Sequence, residues 1–176
     1  MSASGLDEFL QARPRLFRIA CRIVGNPHEA EELVQDVWVR WQRTDRAAVA
    51  DPQAFLATAV SRLAINLVQS ARRRHETAVG PWLPDERVAE GADPHMYAEN
   101  REAFRSAVRL LNERLSAAER AIYVLREGYD YPYRQIAETL RIGAPNARQL
   151  MKRARDRLAE LELEAELETE AELEAV

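Results

Sequence analysis

Tyr133-Arg134-Gln135-Ile136-Ala137-Glu138-Thr139-Leu140, then Arg141-Ile142-Gly143, then Ala144-Pro145-Asn146-Ala147-Arg148-Gln149-Leu150-Met151-Lys152-Arg153 is the stretch on which the fold turns. A helix of about eight residues, a tight turn and a second helix form the arrangement in which the second helix can enter a DNA major groove. Ile136, Ala137, Leu140, Ile142, Ala147 and Leu150 keep the register of small and apolar residues that lets two helices cross closely at a steep angle. The opposite face of the second helix carries Asn146, Arg148, Gln149, Lys152, Arg153 and Arg155. Its early positions hold side chains that bond base edges, and its later cations suit phosphates. An ordinary helical hairpin with a solvated polar face meets the same spacing, so the pattern alone leaves both readings open.

Upstream, Ser116-Ala117-Ala118-Glu119 is a capping box opening a helix with Ile122, Tyr123 and Leu125 inward and Gly128 as its stop. A helix with Phe104, Val108 and Leu111 inward precedes it. Residues 77–99 hold Gly80, Gly91, Pro81, Pro84 and Pro94, the composition of a linker. Within it, Trp82 of Gly80-Pro81-Trp82-Leu83-Pro84 would waste apolar area if left in water, so this segment is expected to dock on a neighbouring domain or partner.

Before the linker, Leu6, Phe9, Leu10, Leu16, Phe17, Ala20, Ile23 and Val24 recur at helical spacing, with Pro14 expected to bend or restart the helix. Asn26-Pro27-His28-Glu29 and Asp51-Pro52 are start signals, each a capping side chain followed by Pro at the first helical position. The second helix gathers Ala30, Leu33, Val34, Val37, Trp38 and Trp41 on one stripe. The third is expected to turn Phe55, Ala59, Leu63, Leu67 and Ala71 inward. The expected fold is all-α, two small helical domains joined by a Pro-rich linker: a bundle over 1–76, the linker 77–99, a helix-turn-helix domain over 100–159 and an acidic tail over 160–176.

With 176 residues the chain has room for one compact domain or two small ones, which excludes a large multi-domain enzyme. One Cys allows no intrachain disulfide, and no run reaches the ~20 apolar residues of a typical membrane helix, so a cytoplasmic protein without a membrane segment is expected. The net charge of −4 would speak against a nucleic-acid partner if it were spread evenly. It is not: every even position from Glu160 to Glu174 is Glu, eight acids with no base, so residues 1–159 carry +4. His28, His75 and His95 stand apart from Cys21. No phosphate loop, metal-spaced cluster or nucleophile elbow appears, so no catalytic residue, no metal and no cofactor is expected.

Five segments resemble, in order, the extracytoplasmic-function sigma factors, the short alternative members of the sigma-70 family of bacterial RNA polymerase. They are Arg13-Pro14-Arg15-Leu16-Phe17, Ala30-Glu31-Glu32-Leu33-Val34-Gln35-Asp36-Val37-Trp38, Arg62-Leu63-Ala64-Ile65-Asn66, Leu115-Ser116-Ala117-Ala118-Glu119-Arg120 and Tyr133-Arg134-Gln135-Ile136-Ala137-Glu138. The resemblance covers residues 6–160. Gly80–Pro84 and Asn146–Leu150 narrow it to the subgroup with a Trp-Leu-Pro linker motif, with the subgroup's C-terminal nuclear-transport-factor-type domain expected to be lacking.

The resemblance implies an alternative sigma factor whose partners are the RNA polymerase core (the β′ clamp helices and β flap) and promoter DNA, and it admits an anti-sigma factor. It implies a core-binding surface of Glu32, Leu33, Gln35, Asp36 and Trp38. It places minus-ten contacts at Arg46, Asp51, Arg62 and Asn66, with phosphates gripped by Arg72–Arg74, and minus-35 contacts at Asn146, Arg148, Gln149, Lys152 and Arg153. The family usually has Gly where Arg141 stands and a capping Ser where Gly143 stands, so an altered turn is expected. A stand-alone helix-turn-helix regulator with an N-terminal interaction bundle is the alternative function, and a helical adaptor a third. The Glu tail is expected to fray from the last helix into disorder, or else to lie over the basic face as a phosphate mimic.

Overall fold

The computed structural model describes residues 5–73 and 94–174, with side chains placed for 5–71, 102–161, 163 and 164. The elements are α1 (Gly5–Val24), α2 (Pro27–Gln42), a 3-10 turn (Arg46–Ala48), α3 (Pro52–Arg73), α4 (Pro94–Arg114), α5 (Ala117–Glu127), α6 (Tyr133–Leu140) and α7 (Ala144–Glu174). No strand occurs among the described residues, and the all-α class read from the sequence holds. Contacts divide the chain into two units, Met1–Glu113 and Arg114–Val176. Gly80–Pro84 lies outside the described residues.

In the first unit α1 packs on both α2 and α3. The start signals work as read: the Asn26 carboxamide accepts from the His28 amide at 2.9 Å, and the Asp51 carboxylate from the Ala54 amide at 3.0 Å. Gly25, at φ 79, takes the left-handed turn between α1 and α2 that an L side chain resists. Pro14 does not restart α1, which is helical from Gly5 to Val24. Pro14 and Leu10 are both exposed, so water can serve the Leu10 carbonyl that loses its donor. Phe9, Leu16, Ile19 and Ile23 form the buried side of α1, whereas Leu6 and Leu10 face outward.

The buried line of α3 differs from the expected one. Leu56, Ala57, Val60, Ser61, Ala64 and Ile65 are inside, while Phe55 is exposed and Ala59, Leu63, Leu67 and Ala71 are half-buried. Both lines are apolar at i, i+4 spacing, so periodicity alone does not separate them. Ser61 masks the true one, and its hydroxyl is satisfied by donating to the Ala57 carbonyl at 2.7 Å. Residues Pro52–Ala71 have the length and mean hydropathy, 1.2, of a marginal membrane span. Their packing against α1 and α2, with Arg62 and Asn66 on the other side, is that of a bundle helix.

In the second unit α5, α6 and α7 pack pairwise on one another. The capping box forms: Ser116 accepts from the Glu119 amide at 3.3 Å, and the Glu119 carboxylate from the Ser116 amide at 3.0 Å. Glu119, 2% exposed, is neutralised by Arg157 of α7 at 2.7 Å. Ile122, Ile136, Ala147, Met151 and Ala154 make the core where the three helices meet. Gly128 closes α5 with φ −85, and the left-handed residue of that turn is Asp130, two positions on. The tail does not fray into disorder by Glu160, because α7 continues as one helix to Glu174. Arg114 pairs with Glu164 at 3.4 Å on the way.

Candidate functional site

Side chains of α7 at positions 146, 148, 149, 152 and 153 are all exposed, and all lie opposite the buried line Ala147–Met151–Ala154. The helix period puts them there: every inward residue sits three or four positions from the next, leaving the remaining arc to Asn146, Arg148, Gln149, Lys152 and Arg153. The three cations in this set have no ion pair or hydrogen bond among the described residues. Arg155, grouped with them by sequence, is instead tied back to Glu127 of α5, as Arg157 is to Glu119. The helix thus separates its cations by job, some holding α7 to α5 and others left free on the open face. Because α7 is one continuous helix to Glu174, its acidic end cannot double back over this face while helical.

The turn before α7 is not altered in the way its glycine placement suggested. The Arg141 amide donates to the Glu138 carbonyl at 3.3 Å and the Ile142 amide to the Ala137 carbonyl at 3.0 Å, the reciprocal pair that closes a helix with a left-handed residue. That residue is Arg141, at φ 56 and ψ 44. Gly143 has no positive φ, and its carbonyl accepts the first bond of α7 from Ala147 at 3.0 Å.

On α2, Glu32, Gln35 and Asp36 are exposed on one face, together with Val39, 43% exposed. Leu33 is not on that surface: it points into the bundle at 7% exposure. Trp38 is half-buried with its ring 4.8 Å from Phe9, on the side of α2 toward α1. Trp41 is fully in the core, where its indole N–H donates to the Gly5 carbonyl at 2.7 Å. Val39 is not among the residues expected from the sequence, but it lies four after Gln35 and three after Asp36 on the same exposed face.

The other predicted residues divide between two places. Arg62 and Asn66 share the face of α3 opposite Val60, one turn apart. Arg46 lies in the 3-10 turn, which Asp45 caps by accepting from the Ala47 amide at 3.2 Å, and its guanidinium covers Gly5, where a Cβ would meet Nη1 at 1.5 Å. Asp51 is exposed but has a structural task, capping α3. Phe55, next to this loop, lies tilted against Trp41 with ring centroids 5.6 Å apart. The side chains of Arg72–Arg74 lie outside the described ones. No group of three or more His, Cys, Asp or Glu suited to a metal ion occurs among the described residues.

Residues 9–74 match the family described as Sigma-70 region 2, and residues 105–158 that described as Sigma-70, region 4. The ECF RNA polymerase sigma factor SigJ of Mycobacterium tuberculosis H37Rv is 38% identical over 152 residues, covering 85% of this chain and 48% of the relative. The probable ECF RNA polymerase sigma factor SigI of the same species is 32% identical over 155 residues, covering 87% and 53%. The chain therefore spans about half the length of these relatives. The crystal structure of M. tuberculosis SigJ superposes with a TM-score of 0.61 at 34% identity, over 87% of this chain and 52% of that one. The sigma factor RpoE of Bartonella quintana, solved with its anti-sigma factor NepR, shares the fold with a TM-score of 0.62 at 21% identity, over 88% and 93%. Two sigma-70 regions in order, on a helical fold shared with these proteins, place the chain: it belongs to the extracytoplasmic-function group of the sigma-70 family.

Proposed function

We propose that this chain is an alternative sigma factor that binds RNA polymerase core and directs transcription initiation in the cytoplasm, as a regulator and not a catalyst. The observation that carries the reading is the open face of α7, where Arg148, Lys152 and Arg153 have no ion pair among the described residues while Arg155 and Arg157 of the same helix are tied to glutamates. A helix that leaves cations and amides free opposite its core, and follows a short helix and a tight turn, suits a duplex major groove.

In this reading residues 100–159 contact the minus-35 element through Asn146, Arg148, Gln149, Lys152 and Arg153. Residues 1–76 hold the polymerase through Glu32, Gln35, Asp36 and Val39, acids around an apolar centre that suit cationic side chains on a partner helix. Leu33 and Trp38 support that face from beneath. Arg46, Arg62 and Asn66 take the minus-ten strand, Asn66 offering both a donor and an acceptor to an extruded base. Asp51 holds the start of α3 in place beside it.

The test is run-off transcription. Transcript starts mapped after overexpression supply the template, and purified core polymerase is assayed with and without the chain. Initiation that depends on the chain is expected, with Asp36→Ala losing core binding and Arg148→Ala losing minus-35 contact while still binding core. A chain that binds the template but confers no initiation would be a stand-alone regulator, and the proposal would fall.

A further inference from the structure

Arg141 occupies a place that glycine would fill at lower cost. Its φ of 56 puts it in the left-handed region, which an L side chain occupies at a cost that glycine does not bear. Two residues on, Gly143 has no positive φ, and an added Cβ there would meet nothing nearer than Pro145 Cδ at 3.7 Å. The chain thus carries glycine where its freedom is not needed and arginine where it is. Packing does not account for the arginine: it is exposed, and its guanidinium has no ion pair or hydrogen bond among the described residues. The nearby carboxylate of Glu138 is paired with Arg134 at 3.3 Å.

We propose that Arg141 is a DNA-backbone anchor, its guanidinium gripping a phosphate of the strand that flanks the groove entered by α7. The inference rests on the reading above that α7 enters the major groove. In that docking the first helix of the pair crosses the backbone and the second enters with its N-terminal turn. Arg141 stands at the joint, at the end of α6 and three residues before α7 begins. A long cation there meets phosphate oxygens and not base edges, so it strengthens binding to any sequence and sets the helix at the groove mouth. Backbone strain borne by an exposed residue at such a joint fits a residue kept for contact with a ligand.

The test uses the full chain and a labelled duplex of mixed sequence, about 30 bp long, with affinity measured at several salt concentrations and melting temperature recorded for each variant. Arg141→Gly is expected to raise the melting temperature by about 4 °C. It should also weaken duplex binding several-fold and reduce the slope of log affinity against log salt by about one. Arg141→Lys, which keeps the cation in the same strained position, is expected to retain the wild-type slope. Wild-type affinity and slope in Arg141→Gly, or a loss in Arg141→Lys as large as in Arg141→Gly, overturns the proposal. Lys152→Ala separates this failure from that of the underlying reading. If Lys152→Ala lowers the slope and Arg141→Gly does not, Arg141 alone is misassigned; if neither does, the groove assignment of α7 falls and the anchor with it.

Discussion

Cys21 is 4% exposed, and its thiol is pushed up to about 12, chiefly by burial, with Glu31 adding to the rise and Arg22 opposing it. The folded protein therefore holds this proton through the range in which the unfolded chain, with an ordinary thiol, gives it up. Below pH ~9 both states bind it and nothing changes; above that the unfolded state is favoured, by about 1.4 kcal/mol for each pH unit until the folded thiol also ionises. Urea titrations of wild type and Cys21→Ala between pH 8 and ~11 are expected to show this extra loss of stability in the wild type only. Because the thiolate is the nucleophile, iodoacetamide is expected to leave Cys21 unmodified in the native protein at pH ~8 and to label it once the chain is unfolded. Prompt labelling of the native state would place Cys21 outside the core.

One of the two ion pairs that tie α7 to α5 passes through a buried carboxylate, and its two members are not equivalent. Arg157 is 49% exposed at its side chain and Glu119 3%, so removing the acid releases a cation that water can solvate, whereas removing the cation strands an anion that water cannot reach. Arg157→Ala is expected to cost about 2–3 kcal/mol, and Glu119→Gln, which keeps an acceptor for the Ser116 amide, about 1 or less. Hydrogen-exchange protection of Ala117–Glu127 reads both, and equal losses would refute the asymmetry. The cap itself was legible from sequence, as were those at Asn26 and Asp51, because capping is a local matter of one side chain and the next few amides. Turn conformation was less so. Glycine marked the turns after α5 and α6, yet the left-handed residues are Asp130 and Arg141, since the hydrogen bonds that end a helix select the conformation and the side chain follows. The buried line of α3 was set one position off because two apolar lines compete and only tertiary packing chooses. The exposed polar face of α7 followed from its period, but the pairing of Arg155 with Glu127 required a partner far away in sequence. Leu33 is buried and Val39 exposed for a related reason: the residue types could be read, but not which of them the bundle would cover.

Across the whole molecule the charge is laid out in sequence along α7 itself, with free cations in its first turns and a glutamate at every second position from Glu160. The helical backbone carries the acidic positions onward along the same axis as the cation-bearing turns. At 1.5 Å per residue, Glu160 lies about 12 Å beyond Lys152 along the axis, and the middle of the acidic segment about 20 Å or more. At ~0.15 M salt the screening length is about 8 Å, so most of this charge is invisible to a duplex held at the first turns; at ~0.01 M it is about 30 Å and the whole acidic segment is felt. Deleting residues 161–176 removes the Arg114–Glu164 pair, whose side chains are 48% and 59% exposed and which contributes little to stability. Duplex affinity of the deleted chain is therefore expected to stay within about twofold of wild type at physiological salt and to exceed it clearly only near 0.01 M. A tail that left the helix to mimic phosphate over Arg148 and Lys152 would behave otherwise, since close contact is screened far less. Its deletion would tighten binding about tenfold or more already at 0.15 M, and that result would show that α7 unwinds beyond Glu160 in the free protein.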